Sequence, residues 1–424
     1  MIVERSERHI IKKNNEFFNL LKIDCHKAKN LYNQANYLIR QEFCKNENHK
    51  YLGYKEVEKL CKDGLEFNAY RNMPTAQSAQ QTLKQLDKNW KSFFKLIKDW
   101  KINKSKYQGK PKLPKYLPKD GETILYLTNQ NCKLKEDGKI YFPKYFNGFT
   151  VNTDIHNQPN FISFQQIQIK PHKDYLEIFV IYRTNIHEFK ADNGRYLFID
   201  LGVDNFATVV NNIGKQNILI DGKGLKSKNQ WYNKIIAETK SSLKIVNNSY
   251  FSNRLESILT KRNNVILDDM HKKSKFIVNY ANELNISKIV IGHNKSQKDS
   301  SKLGKINNQN FVQIPHFKFI NLLKYKLENV GIELIEVEES YTSKCSFIDW
   351  DNLPERLMEE KQYFSGKRVH RGLYKTKDKF LINADVNGAL NIGRKAEKKL
   401  KSNLKELSDR VEWLVSSPIR LKVA

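Results

Sequence analysis

The stretch YLFIDLGVDNFATVV, residues 196–210, guides the interpretation of the whole chain. Apolar residues continue on both sides of Asp200, which predicts a central β-strand covered on both faces. A carboxylate placed there is costly unless something neutralises its charge. A divalent cation would do so, because carboxylate oxygens suit Mg²⁺ or Mn²⁺. The alternative is an aspartate at the strand end that caps a turn before Gly202, and this stretch by itself leaves both interpretations open.

Composition points to a nucleic-acid partner. The chain has 424 residues, enough for two or three domains, and a formal net charge of +28 from 74 Lys and Arg against 46 Asp and Glu. Such an excess is normally offset by a polyanion, so nucleic acid is favoured over a membrane surface. No apolar run approaches the ~18 residues of a spanning helix, and the start of the chain lacks the apolar core of a signal peptide.

The five cysteines indicate a reducing compartment and no metal site. They are scattered along the chain, and no pair has the spacing of metal ligands. We therefore expect buried thiols in the cytoplasm.

The amino-terminal quarter of the chain is predicted to be helical, from Asn15 to about Trp100. A helix that starts at Pro74 has an apolar face opposite a face of lysines, which is predicted to follow a phosphate backbone. For any single lysine, a solvated helix surface is the favoured explanation; the phosphate-binding interpretation applies to the whole face taken with the net charge. The candidate contacts on this face are Lys84, Lys88, Lys91 and Lys95.

Residues 101–121 alternate basic residues with tyrosines and prolines. This composition suits contact with a nucleic-acid backbone and unpaired bases, although a disordered spacer has a similar composition. The candidate contacts are Tyr107, Lys110, Lys112 and Lys115. From 123 to 184 the apolar period becomes two, which predicts a small antiparallel barrel or sandwich.

After Asp200 the pattern predicts a hairpin partner, a long helical region, a strand at 286–291, a helix at 315–331 and a strand at 332–338. This order indicates a mixed sheet with flanking helices, in which ligands gather at the carboxyl ends of the parallel strands. Asp385 is predicted at the start of a late helix.

Three motifs resemble the split nuclease core of the TnpB proteins. They are IDLGVD at 199–204, YTSKCS at 341–346 and NADVNGALNI at 383–392. Further matching segments are NMPTAQSAQQTL at 72–83, GKPKLPKY at 109–116, FVQIP at 311–315 and SPIRL at 417–421. TnpB proteins are RNA-guided endonucleases of insertion sequences and are related to type V CRISPR effectors.

The resemblance implies a multidomain α+β protein with a RuvC-like RNase H fold nuclease domain at 191–343 and 377–424. It also implies a helical recognition domain at 11–104 and a small wedge-like β-barrel at 1–10 with 105–190. The implied partners are a guide RNA and a double-stranded DNA target with a short adjacent motif, with no membrane. We expect a monomer in a bacterial or archaeal cytoplasm.

Two departures from the family pattern matter. The family places a glutamate, its second carboxylate, directly after the strand at 286–291, where this chain has Gly292 and His293. The family also has a four-cysteine zinc ribbon, whereas Cys345 stands alone here, so we expect no zinc. The insert at 344–376 is predicted to be a degenerate target-nucleic-acid-binding segment that acts through Lys367, Arg368 and Arg371.

The missing glutamate leaves three hypotheses. The first is an active endonuclease that hydrolyses DNA with two Mg²⁺ or Mn²⁺ ions held by Asp200, Asp385 and a glutamate relocated to Glu338 or Glu339, with a slight preference for Glu339. The second is a nuclease-dead, RNA-guided DNA-binding repressor. The third is a guide-independent, transposase-associated DNA-binding protein. We favour the first, because both aspartates are intact and two glutamates follow the neighbouring strand.

Overall fold

A computed structural model describes most of the chain as two compact units, Met1–Asn185 and Ile186–Ala424. The residues described are 1–45, 49–63, 68–158, 160–293, 314–355, 362–370, 372–401, 403–408 and 418–423. Within this part of the chain no helix is both long enough and apolar enough to cross a bilayer.

The first unit opens with strand β1 (Ile2–Lys12), followed by helices α1 (Phe18–Lys45), α2 (Tyr54–Asp63) and α3 (Ala76–Ile102). Helix α3 begins at Ala76, two residues after the predicted start at Pro74, because Thr75 is its N-cap: the Thr75 side chain accepts a hydrogen bond from the Ser78 backbone N–H. The face of α3 that carries Leu83, Leu86 and Trp90 is buried.

Six further strands complete the first unit. They are β2 (Leu125–Thr128), β3 (Lys133–Leu134), β4 (Lys139–Tyr141), β5 (Thr150–Asn152), β6 (Phe161–Pro171) and β7 (Tyr175–Asn185). One sheet has the order β1-β7-β6-β2 and a smaller one the order β3-β4-β5. Strand β1 pairs antiparallel with β7 along its whole length, from Ile2 opposite Asn185 to Lys12 opposite Tyr175.

The predicted closed barrel is not found in the described part of this unit, which contains two open sheets. The physical reason is that α1 and α3 pack against the four-stranded sheet and bury its apolar face, so the sheet does not need to close on itself. None of the residues of the edge strand β1 is buried. Apolar side chains of the helices and the sheets form one continuous core, in which Trp90 and Ile167 are completely buried.

The second unit contains a six-stranded sheet. Its strands are β8 (Tyr196–Leu201), β9 (Asn205–Asn211), β10 (Ile218–Asp221), β11 (Lys288–Gly292), β12 (Glu333–Val337) and β16 (Ile419–Leu421), and its helices are α4 (Lys223–Asn247), α5 (Asn253–Glu283), α6 (His316–Glu328), α7 (Ala384–Lys395) and α8 (Lys405–Ser408). A separate small sheet is formed by β13 (Lys367–His370), β14 (Leu373–Lys375) and β15 (Leu381–Asn383).

The strand order of the large sheet is β12-β11-β8-β9-β10-β16. Strand β9 is antiparallel to both β8 and β10, whereas β11 is parallel to both β8 and β12. The strand that ends at Gly292 therefore lies beside the Asp200 strand, and β12 lies one place further out. The carboxyl ends of β8, β11 and β12 consequently meet at one edge of the sheet.

Both faces of strand β8 are covered, as its apolar run predicted. Leu197 and Ile199 lie in a core with residues of α5 and α6, whereas Tyr196 and Phe198 lie in a core with residues of α7. Asp200 has the parity of Phe198, so it belongs to the face on which α7 packs.

Candidate functional site

Asp200 lies near the carboxyl end of β8. The five other residues of this strand are all buried. Its pKa is raised well above the ordinary aspartate value, first because the carboxyl is desolvated by burial and then because the charges of Glu339 and Asp385 lie nearby. The Arg368 guanidinium acts in the opposite direction. Three predicted site residues from distant parts of the sequence are thus brought within electrostatic reach of one another.

Asp385 is placed by the first turn of α7. The side chain of Asn383 caps this helix by accepting hydrogen bonds from the backbone N–H groups of Asp385 and Val386. The Asp385 carboxylate accepts one hydrogen bond from Asn205 Nδ2 at 2.6 Å and another from an Arg368 guanidinium nitrogen at 3.2 Å. Each of its oxygens therefore already has a donor.

The two candidate glutamates have different surroundings. The charge of Glu339 contributes to the raised pKa of Asp200. Glu338 instead accepts a hydrogen bond from Ser340 Oγ and pairs with the almost completely buried Lys395 Nζ at 3.0 Å. Burial alone would raise the pKa of Glu338, but these hydrogen bonds outweigh it and lower the pKa.

Gly292 leaves open the space that Glu339 approaches. In register, β11 places Gly292 opposite Val337 of β12. A Cβ atom built on Gly292 would lie 3.3 Å from the Cβ of Glu339 and 2.6 Å from Cδ1 of Ile392. A side chain at 292 would therefore collide with Ile392 of α7 and press tightly against Glu339.

Two residues that we did not predict also shape the site. A Cβ atom on Gly388 would lie 2.8 Å from Asp200 Oδ2, so only glycine lets α7 approach this carboxylate so closely. Asn205, the first residue of β9, contacts Asp385, and its Oδ1 is buried with no hydrogen-bond partner among the residues that the structure describes. The position of Gly388, three residues after Asp385, could have indicated its role from the sequence. Nothing in the sequence singled out Asn205.

Within the described ranges no group of three or more His, Cys, Asp or Glu side chains forms a complete metal-binding cluster. The Asp385 carboxylate is held by hydrogen bonds from Asn205 and Arg368. The donor set itself, carboxylate oxygens with an unpaired amide oxygen nearby, fits Mg²⁺ or Mn²⁺.

The start of the insert is anchored to α7 by side chains. Asn391 Nδ2 donates to the Cys345 carbonyl oxygen at 2.7 Å, and an Arg394 guanidinium nitrogen lies 3.5 Å from Cys345 Sγ. Burial raises the pKa of the Cys345 thiol to about 11. The Arg394 guanidinium also stacks 4.1 Å from the Trp350 ring. Hydrogen bonds and stacking thus connect this segment to the helix that carries Asp385.

The predicted nucleic-acid contacts of the first unit are mostly exposed. On α3 the exposed lysines recur at helical spacing and form one stripe: Lys84, Lys88, Lys91, Lys95 and Lys98. Lys91 is paired with Asp87 at 2.7 Å. Tyr107 is engaged by a short hydrogen bond to Asp99, whereas Lys110, Lys112 and Lys115 are exposed.

In the insert, Lys367 and Arg368 on β13 are exposed. Arg371 lies outside the described residues.

Comparison with known proteins gives two family matches. Residues 179–298 match the OrfB_IS605 family, described as a probable transposase, and residues 316–392 match the Cas12f1-like TNB domain. The chain is a TnpB-like, type V-related protein. No curated protein matches it.

Solved structures agree with this assignment at the level of the fold. The Cas12f1 chain of a Cas12f1-sgRNA-target DNA complex superposes on this TnpB-like chain with a TM-score of 0.54 at 15% identity, covering 90% of this chain and 84% of that one.

Two other structures align less well. A CRISPR-Cas12f ternary complex gives a TM-score of 0.34 at 14% identity, covering 91% and 83% of the two chains. The mini-RNA-guided endonuclease CRISPR-Cas phi3 gives 0.42 at 11% identity, covering 93% and 92%. The fold comparison therefore rests on the Cas12f1 chain.

Proposed function

We propose that this TnpB-like chain is an RNA-guided DNA endonuclease associated with a transposable element. The observation that carries the proposal is that the fold brings the carboxyls of Asp200, Glu339 and Asp385 together at the carboxyl ends of the parallel strands and the start of α7, close enough for the charges of Glu339 and Asp385 to act on Asp200. A partly buried set of acids that repel one another is costly for a fold unless a cation is bound there during function. Clusters of this kind are typical of functional sites.

The topology of the sheet supports a RuvC-like nuclease core. Three antiparallel strands, β8 to β10, are followed by two strands, β11 and β12, that are parallel to β8. This is the arrangement that the TnpB resemblance implies for an RNase H fold. Asp200, near the end of the first strand, would then be the first family carboxylate, and Asp385, at the start of α7, would be the third.

Asp200, Glu339 and Asp385 would hold Mg²⁺ or Mn²⁺. A bound cation would supply the positive charge that stabilises a phosphodiester during hydrolysis, in the two-metal manner that the resemblance implies. The chain contributes three carboxylates from separate elements and Gly388, which admits α7 close to Asp200. Arg368, exposed and beside Asp385, is placed to contact a phosphate of the substrate.

Glu339 is the better candidate for the relocated second carboxylate. Its Cβ lies beside the position that a side chain at Gly292 would occupy, and its charge acts on Asp200. Glu338 is already paired with Lys395 and Ser340. We propose that Glu339 replaces the missing family residue from the neighbouring strand.

Guide RNA and double-stranded DNA are the proposed partners. The net charge of +28 and the exposed lysine stripe of α3 suit two polyanions. The similar Cas12f1 chain was solved with sgRNA and target DNA. By analogy, the guide would read the target by base pairing and the protein would hold the heteroduplex by its shape and phosphates.

The decisive experiment is to purify the protein from cells that carry its own flanking DNA, sequence the RNA that accompanies it, and add Mg²⁺ with a plasmid library matching that RNA. Cleavage that requires both the RNA and Mg²⁺ is the expected result. Guided binding without cleavage would instead identify a repressor, and binding without any RNA a guide-independent DNA-binding protein. Light scattering on the same sample tests the expected monomer.

A further inference from the structure

Asp385 is held from two different parts of the second unit. Asn205 Nδ2, on the core strand β9, donates to Oδ2, and Arg368, on the insert strand β13, donates to Oδ1. Asn205 is partly buried, whereas the Arg368 side chain is 44% exposed. Another group can therefore displace Arg368 from Asp385 more easily than it can displace Asn205.

Asn205 has a fixed position. Its backbone belongs to the sheet, because Asn205 begins β9 and pairs with Asp221 of β10. Its amide is committed to Asp385 at 2.6 Å, while its Oδ1 is buried without a partner among the described residues. A buried acceptor without a partner is unfavourable, and a cation or a water molecule at this site would remove that cost.

Arg368 is held less firmly. It lies in a short strand of the insert, where the register of β13 against β14 shifts between Arg368 and His370. A guanidinium competes directly with a cation, since both bind the same carboxylate oxygen. Its exposed side chain can turn to a phosphate without disturbing the sheet.

We infer that Asn205 is a positioning residue: it holds Asp385 through the Oδ2 atom of Asp385 and leaves the Oδ1 atom of Asp385 for a divalent cation. Arg368 occupies this Oδ1 atom until the cation or a nucleic acid displaces it. This inference rests on the proposed function. It predicts effects of opposite sign: loss of Asn205 weakens cation binding, and loss of Arg368 strengthens it.

The test is Mn²⁺ binding followed by electron paramagnetic resonance on the full chain, without nucleic acid. We expect Asn205→Leu to weaken the Asp200-dependent Mn²⁺ binding by about 10- to 100-fold, the effect usual for a residue that orients a metal ligand. Arg368→Gln should bind Mn²⁺ more tightly than the parent. In cleavage assays, Asn205→Leu should require more Mg²⁺ for half-maximal rate.

Asn212→Leu is the matched control. Asn212 follows the same strand at its other end, where its amide donates to the Gly194 carbonyl oxygen and its Oδ1 accepts from the Tyr196 N–H. Its substitution perturbs the same sheet without touching Asp385, so melting temperature can change while Mn²⁺ affinity stays parental.

Two results would overturn the inference in distinguishable ways. If Asp385→Ala loses Mn²⁺ but Asn205→Leu keeps parental affinity, Asn205 has no positioning role although the proposed site stands. If the parent protein shows no Mn²⁺ binding that depends on Asp200, the proposed function fails and this inference fails with it. If Arg368→Gln binds Mn²⁺ more weakly than the parent, Arg368 does not compete with the cation for the Oδ1 atom of Asp385.

Discussion

The carboxylate cluster of the second unit and the lysine stripe of α3 in the first unit use charge in opposite ways. Asp200, Glu339 and Asp385 come from three separate elements, and burial makes their charges affect one another. The lysines of α3 come from one helix, remain exposed, and are spaced along its surface. In the proposed function the clustered carboxylates act on one phosphodiester bond, whereas the exposed lysines follow the phosphates of a nucleic acid.

The largest expected effect is on the rate of cleavage, with little change in the binding of RNA and DNA. Asp200→Ala should reduce guided cleavage by roughly 1,000-fold or more, because it removes the central member of the cluster. Binding of guide RNA and target DNA should stay nearly parental, since the lysine stripe is untouched. Cleavage gels and gel-shift titrations on the same preparation measure both. A matching loss of binding would show that the two regions are not independent.

The next effect distinguishes neighbours within the cluster. Glu339→Gln should lower cleavage by about 100-fold or more with little loss of stability, because a neutral side chain no longer offers a carboxylate ligand. Glu338→Gln should mainly destabilise the fold, by about 1 kcal/mol, since its partner Lys395 is buried and loses a charged acceptor. Single-turnover cleavage and urea unfolding report the two quantities. Parental cleavage by both single variants and by the double variant would refute the relocation.

The lysine stripe should act on binding alone. Replacing Lys84, Lys88 and Lys95 together by Gln should weaken target binding, and the slope of log affinity against log salt should fall by about one unit for each lysine that contacts a phosphate. Lys91→Gln is the matched control from the same stripe, because Asp87 already holds its ammonium. Cleavage at saturating target should be unchanged. An unaltered salt slope in the triple variant would remove the stripe from the binding surface.

The smallest expected effect is on stability. The pKa of Asp200 is higher in the folded protein than its ordinary value of 3.8, so the unfolded chain releases this proton first as pH rises, and stability falls until pH passes the raised pKa. Asp200→Asn should therefore melt a few degrees higher than the parent at neutral pH in EDTA. The difference should shrink at acidic pH and on adding Mg²⁺, which stabilises only the parent. Calorimetry across pH 5 to 8 checks this, and an Asp200→Asn variant that melts lower throughout would contradict it.

The sequence by itself determined the elements and their order. Apolar periodicity placed β8, β11, β12 and α7, because the side chains of each element must match the faces that it buries. It also predicted Asp385 at a helix start, since capping is a local property of the chain. It left open whether Asp200 lies within the central strand or at its end, and the structure places Asp200 one residue before the end of β8.

Only the tertiary structure decided which side chains meet. Sequence parity did not separate Glu338 from Glu339, because each parity of that strand mixes apolar and acidic residues. The packing of α7 made the difference, since it brings Lys395 to Glu338 and leaves Glu339 beside Gly292.

The same reason explains the open sheets and the role of Asn205. Whether a sheet closes depends on what covers its face, and α1 and α3 cover it here. The contact of Asn205 with Asp385 joins residues 180 positions apart, so no local pattern could announce it. The apolar periodicity of the sequence indicates which face of an element is buried. Only the fold determines which other element packs against that face.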